Sequence, residues 1–302
     1  MEDMITGLCP QCGHTLHIPA ELASFSCMYC GARLTKEQLA AEPPAAPEAD
    51  EDRAAYYDRA VSRLGWCIKN FGGYQKKIMR DVFFEAFETY ETGCAPVIQE
   101  LARGVAPEQQ TQLLGRAAAA MLDELEAGWQ KKGDMEDEKV VLAIFFVPMV
   151  RKQQLPISEE FVTILQKQWV ERYPKSPFYL GDYESISGGF RKKFLGLCFI
   201  TTAVCQELGK PDDCEELTAF RAFRDGYLRS QPDGEALIRE YYNIAPGIVT
   251  CINTCSDRHA SYARIREEYL APCYQDLLAG RNESCKARYV RMVRDLEREY
   301  LS

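Results

Sequence analysis

Histidine is almost missing from this chain: three residues in 302, His14, His17 and His259. Imidazole is the usual general base near neutral pH and a common metal ligand. Any such chemistry beyond residue 40 therefore depends on His259 alone. Strong period-two alternation is missing after residue 52, which excludes an extended half-buried sheet there. No clean internal repeat appears, although a weak array of helical pairs stays open. The longest apolar run, VVLAIFFVPMV at 140–150, falls well short of the roughly 20 residues that cross a bilayer. It is expected to be a buried helix with Pro148 near a bend or an end. A basic surplus is also lacking. The formal net charge is −9, residues 41–52 carry five acids and no base, and residues 191–302 carry seventeen of each sign. Phosphate-backbone binding thus has no electrostatic support. The opening MEDMITGLCPQCG has no charged-then-apolar leader, so a reducing cytosol is expected, with the thirteen cysteines free or metal-bound.

A chain of this length predicts two or three folded units. Residues 41–52, AEPPAAPEADED, offer nothing to bury and have the composition of a self-repelling linker able to span roughly 35 Å at about 3 Å per residue. The expected division is residues 1–40, an acidic Ala/Pro linker over 41–52, a helical domain over 53–190 and a second helical domain over 191–302. Helical spacing places Ala60, Leu64, Cys67, Ile68 and Phe71 on one face, and Ile78, Val82, Ala86, Phe87 and Tyr90 on the next. Leu114 to Trp129 form a third helix, with Gly133 as its end. Ser158 is read as an N-cap, and Asp213 with Glu216 as a capping-box start. Arg221 and Asp225 are spaced to pair on one helix. A helix through Tyr241 and Tyr242 should kink or stop at Pro246, and another at Pro272.

The clearest chemistry lies near the start. CPQCGHTLHIPAELASFSCMYCG holds two Cys-x-x-Cys pairs, Cys9 with Cys12 and Cys27 with Cys30, each followed by glycine. Such a turn delivers two thiolates to one metal, and the glycine can adopt the left-handed conformation that aims backbone amides at sulfur. Two facing turns complete a tetrahedral sulfur shell suited to one structural zinc per chain, with iron as the chemical competitor. A filled shell has no open position to activate water. Forty residues with Leu16, Ile18, Leu22, Phe25 and Leu34 bury too little to fold alone, whereas a structural zinc contributes on the order of 10 kcal/mol. His14 and His17 are expected beside the site rather than in it. Residues 7–34 resemble the zinc-ribbon family, which implies short β-hairpins around the metal.

A second set of cysteines is harder to read. CFITTAVC at 198–205, followed by LTAFRAFRDGYL and YYNIAPGIV, resembles the CFI-box carboxy-terminal domain of uncharacterised prokaryotic proteins, over about residues 194–300. The chain keeps Cys198, Phe199, Ile200, Thr202 and Ala203 of that pattern but has Thr201, Val204 and Cys205 where many relatives read Ala, Ala and Tyr. The resemblance names a domain and supplies no mechanism. On spacing alone, Cys198 and Cys205 share a helical face, as do Cys251 and Cys255. His259 would join the latter if the helix continued, but SDR at 256–258 reads as a stop and restart. Packing, a second metal and thiol chemistry with His259 are the three alternatives for these residues. Arg221, Arg224 and Asp225 are expected to form an ion-pair knot that fixes helix packing. Arg288, Arg291, Arg294 and Arg298 make a basic stripe that Asp295, Glu297 and Glu299 dilute.

The fold expected from all this is a small β zinc ribbon joined by a flexible linker to a mainly all-α multi-helix body. The function expected is that of a zinc-binding, non-catalytic cytoplasmic adaptor with a protein partner and no membrane. A thiol-dependent enzyme or second metal site using Cys198, Cys205, Cys251 or Cys255 with His259 is the first alternative. A nucleic-acid-associated ribbon is the second.

Overall fold

The structure, a computed structural model, describes residues 4–8, 10, 15–20, 22–28, 31–39, 50–191 and 198–302. Contacts divide the chain into two units, Met1–Asp52 and Arg53–Ser302.

The first unit holds two antiparallel hairpins. Strands β1 (Met4–Leu8) and β2 (Thr15–Pro19) pair with Ile5 opposite Ile18 and Gly7 opposite Leu16. Strands β3 (Ser24–Ser26) and β4 (Arg33–Thr35) pair with Phe25 opposite Leu34. Alternation sets the faces: Leu16 and Ile18 are buried while His17 between them is exposed. Leu16, Cys27 and Leu34 form the centre of this unit, with Phe25, Ala32 and Leu39 packed against it. Leu22, expected inside, is 43 % exposed. Its amide donates to the Pro19 carbonyl at 3.1 Å, and this reversal turns the side chain outward.

Every secondary-structure element described in the second unit is helical. Its first half comprises α1 (Asp50–Leu64), the single turn α2 (Trp66–Lys69), α3 (Phe83–Gly104), α4 (Gln110–Gly128), α5 (Lys132–Val141), α6 (Val147–Lys152), α7 (Ser158–Arg172) and α8 (Tyr183–Arg191). Its last third comprises α9 (Phe199–Glu207), α10 (Glu215–Asp225), α11 (Gly234–Cys255), α12 (Arg258–Ile265), α13 (Ala271–Leu278) and α14 (Asn282–Tyr300). The apolar stripes predicted from spacing face inward: Ala60, Leu64, Cys67 and Ile68, and Leu114, Ala117, Ala118, Met121 and Leu125, are all buried. Aromatic rings fill the space between α3 and α8. Phe83 stacks on Phe190 with centroids 4.3 Å apart, and the Tyr90 hydroxyl, buried among rings, donates to the Cys67 carbonyl at 2.7 Å.

Helix α11 packs against both halves of this unit. Its Asn243 accepts the Arg80 amide on its carbonyl and the Asp81 amide on Oδ1, each at 3.0 Å. A Cβ on Gly247 would lie 1.9 Å from the Ile78 carbonyl oxygen, so glycine is what lets the two backbones touch. The Tyr179 amide donates to the Thr254 carbonyl at 2.7 Å. The division expected at 190/191 therefore falls inside one continuous core.

Several local expectations are corrected. Helix α1 begins at Asp50, so residues 50–52 of the expected linker are helical, while 40–49 lie outside the described residues. Gly133 does not end α4, which stops at Gly128; Gly133 lies in the first turn of α5. Ser158 is the first residue of α7 rather than its cap. Its hydroxyl accepts the Leu155 amide and donates to the Val150 carbonyl, tying down the preceding turn. Glu216 is drawn to Lys210 instead of closing a box with Asp213, and Cys214 holds the cap position of α10. Arg221 bonds Asp212, leaving Asp225 to Arg224. Pro246 does not stop α11, which runs on to Cys255. Pro148 and Pro272 each follow a widened π-turn, Leu142–Phe146 and Arg266–Leu270, closed by amides of Val147 and Ala271 reaching five residues back. The extra residue per turn makes room for a proline ring that would otherwise strike the carbonyl four residues earlier.

Candidate functional site

Two places carry chemistry, one in each unit. In the first, Cys27 sits at the tip of the β3–β4 hairpin, buried, with its amide donating to the Ala32 carbonyl at 2.8 Å. The Gly31 amide donates back to the Cys27 carbonyl at 2.8 Å, and Gly31 is left-handed at φ +74°. A residue with a Cβ pays to enter that region, so glycine after the Cys-x-x-Cys pair has a mechanical reason. These two hydrogen bonds close a tight backbone turn at the tip. Cys9, Cys12 and Cys30, the other three expected zinc ligands, and His14 lie outside the described residues. Cys9 and Cys12 fall in sequence between the ends of β1 and β2, the position Cys27 and Cys30 have between β3 and β4. Among the described residues no group of three or more His, Cys, Asp or Glu side chains is placed to hold a metal.

The second place is built by the motifs of the last third. Cys198 occupies the cap position of α9 and accepts a hydrogen bond from Nη1 of Arg224 on α10 at 3.6 Å. The same Nη1 donates to the Tyr242 hydroxyl of α11 at 3.0 Å. Nε and Nη2 of Arg224 grip both oxygens of Asp225 at 2.8 and 2.6 Å. The Ile200 amide, an unsatisfied donor of the first turn of α9, is met by the Tyr241 hydroxyl at 3.0 Å. Thr201 Oγ1 lies 3.1 Å from the Tyr289 hydroxyl of α14, which in turn reaches Tyr241 at 3.4 Å. CFITT, AFRD and YYNIAPG, distant in sequence, are thereby joined in one network. Beside it opens a narrow, mostly apolar cleft, walled by Phe220, Phe223, Ile238 and Val293, with Cys198 and Arg224 at its lining. Arg294, at the same lining, is paired with Glu240.

Electrostatics make this network quiet. Burial pushes the Cys198 thiol up, against the opposing pull of Arg224, so it is held neutral. Burial also raises Tyr241 and Tyr289. The hydrogen bonds to Arg224 hold the Asp225 carboxyl below its ordinary range. The expected Arg–Asp knot exists, with Arg224 rather than Arg221 at its centre.

The remaining candidate residues are not assembled. Cys205 is buried against Cys214, sulfur to sulfur 3.9 Å. Cys251 and Cys255 share a face of α11; Cys251 donates to the Tyr300 carbonyl at 3.5 Å, and burial raises Cys255 to about 11. Helix α11 ends at Cys255, and α12 restarts with the Asp257 carboxylate accepting the Ala260 amide at 3.1 Å. His259 is thereby carried to the surface, where Nδ1 lies 3.4 Å from Glu207. Among the described residues, His259 makes no contact with these thiols. The arginines of α14 are each paired with a carboxylate: Arg288 with Asp276, Arg291 and Arg298 with Asp295, and Arg294 with Glu240.

Three features had no sequence signal. Thiols from distant positions pair at Cys67–Cys94 and at Cys273–Cys285, both buried. The Tyr241–Tyr289 link depends on helix packing alone. Lys139, 4 % exposed, donates to Ser176 Oγ at 2.7 Å and pairs with Glu136, forming a closed polar knot. Comparison of the chain with protein-family models, with curated proteins and with solved structures returns no match.

Proposed function

We propose that the chain is a zinc-stabilised, non-catalytic binding protein of the cytoplasm, whose amino-terminal ribbon engages a protein partner while the helical body acts as its anchor. Cys9, Cys12, Cys27 and Cys30 would hold one zinc, which crosslinks the two hairpins. The observation that carries this reading furthest is the hairpin tip at Cys27, where left-handed Gly31 returns its amide to the Cys27 carbonyl. The sequence of this unit supports it as well, since the few large apolar side chains of residues 1–40 cannot offset the ordering of some forty residues. A protein partner is favoured over nucleic acid by the acidic balance, −9 overall. The convergence of CFITT, AFRD and YYNIAPG on one network supports a CFI-box domain in the last third.

Elemental analysis of the intact chain tests the metal. One zinc per chain is expected, reduced to less than a tenth by Cys27→Ser. A visible iron–thiolate absorption, or disulfides among the four cysteines, would replace zinc in this account.

A further inference from the structure

We propose that Cys205 and Cys214 are an oxidisable dithiol, closing to an intramolecular disulfide when a hydroperoxide reaches Cys214. Their sulfurs are already in van der Waals contact at 3.9 Å. A bond needs about 2.05 Å, which side-chain rotation and a small shift supply. The chain between them has completed its reversal. The Lys210 amide donates to the Cys205 carbonyl at 2.9 Å, Gly209 takes the left-handed turn at φ +67°, and the Cys214 amide donates to the Pro211 carbonyl at 3.1 Å.

The two cysteines are unequal in a way that assigns their roles. Cys214 is partly exposed, at the cap position of the eleven-residue α10, so a small oxidant can reach it. Cys205 is buried, 2 % exposed. Burial first, and the neighbouring Cys214 next, push its thiol up to about 12, so it waits protonated. The Cys214 thiolate attacks one peroxide oxygen, breaking the O–O bond and releasing hydroxide, which leaves Cys214 as the sulfenic acid. Cys205 then attacks that sulfur, and its proton and the departing hydroxyl leave as water. Two thiols and one hydrogen peroxide give one disulfide and two waters, the two electrons passing to the peroxide oxygens. The bond ties the end of α9 to the start of α10, the two helices that hold Cys198 and Arg224.

The molecule carries its own controls. Cys67 with Cys94, and Cys273 with Cys285, are also adjacent, but all four are 0 % exposed. Proximity is common to all three pairs, and only the Cys205–Cys214 pair has a solvent-facing member.

The test is to expose the reduced, full-length protein to increasing hydrogen peroxide, quench with N-ethylmaleimide, and cleave after Glu207, which separates the two cysteines. A peptide pair linked through Cys205 and Cys214 is expected at least tenfold faster than any link in the other two pairs. In Cys205→Ala, Cys214 should accumulate as a dimedone-reactive sulfenic acid. In Cys214→Ser, a milder change at a partly exposed site, Cys205 should stay open to alkylation after unfolding. Oxidation of Cys214 to the sulfinic acid in the unsubstituted chain without a link would overturn the proposal. Closure of the two sealed pairs at the same rate would overturn it too.

Discussion

The two units solve the same problem with unequal means. Residues 53–302 enclose a continuous core in which Trp169, Tyr90 and a set of phenylalanines are wholly buried. The described part of the first unit centres on Leu16, Cys27 and Leu34. Burial at about 25 cal/mol per Å² stabilises the former amply and the latter hardly at all. Cysteine shows the contrast in miniature: in the body every cysteine but Cys214 is buried, whereas at the β3–β4 tip a glycine shapes the turn around Cys27.

That comparison is broken most directly by removing metal. A strong chelator added to the intact chain should abolish the dispersed amide signals of residues 4–39, a loss on the order of 10 kcal/mol for that unit, while the circular dichroism of the helices stays unchanged. Survival of those signals would mean that the hairpins stand on their own. The reverse perturbation is Trp169→Ala, which removes a wholly buried ring whose Nε1 donates to the Ser176 carbonyl at 2.8 Å. Calorimetry should show the body destabilised by about 3–5 kcal/mol, with zinc content untouched. A smaller effect sharpens the role of the arginine knot. The Asp225 carboxyl, about half exposed, has its folded pKa lowered by Arg224, so its contribution is complete above the unfolded value of about 3.9 and fades as pH falls through the folded value. Asp225→Asn should therefore cost on the order of 1 kcal/mol at pH 6, and progressively less as the pH falls below the unfolded value, measured by denaturant unfolding across that range.

What the sequence made legible was whatever is decided within a few residues. The Cys27–Gly31 turn was foreseeable because left-handed geometry is a local demand, and the stop at Ser256 because it is written in SDR. Apolar faces such as Ala117–Met121–Leu125 follow from period alone. What escaped was settled by partners far along the chain. Ser158 points to Val150, Glu216 answers to Lys210, and Arg221 reaches Asp212 instead of its helical neighbour. Nothing in spacing relates Cys67 to Cys94, 27 residues apart, since their meeting depends on how helices stack. The network around Arg224 was half visible: its arginine and aspartate could be named, whereas the tyrosines that complete it required the packed bundle.

The two π-turns ahead of Pro148 and Pro272 leave the chain some slack in its own length. Each holds one residue more than a regular turn would, so deleting a single residue there should keep every downstream face aimed at the core, at the cost of returning the proline ring to the carbonyl four residues earlier. Inserting one would instead swing α6 or α13 by roughly 100°. At these two places the fold tolerates loss better than gain.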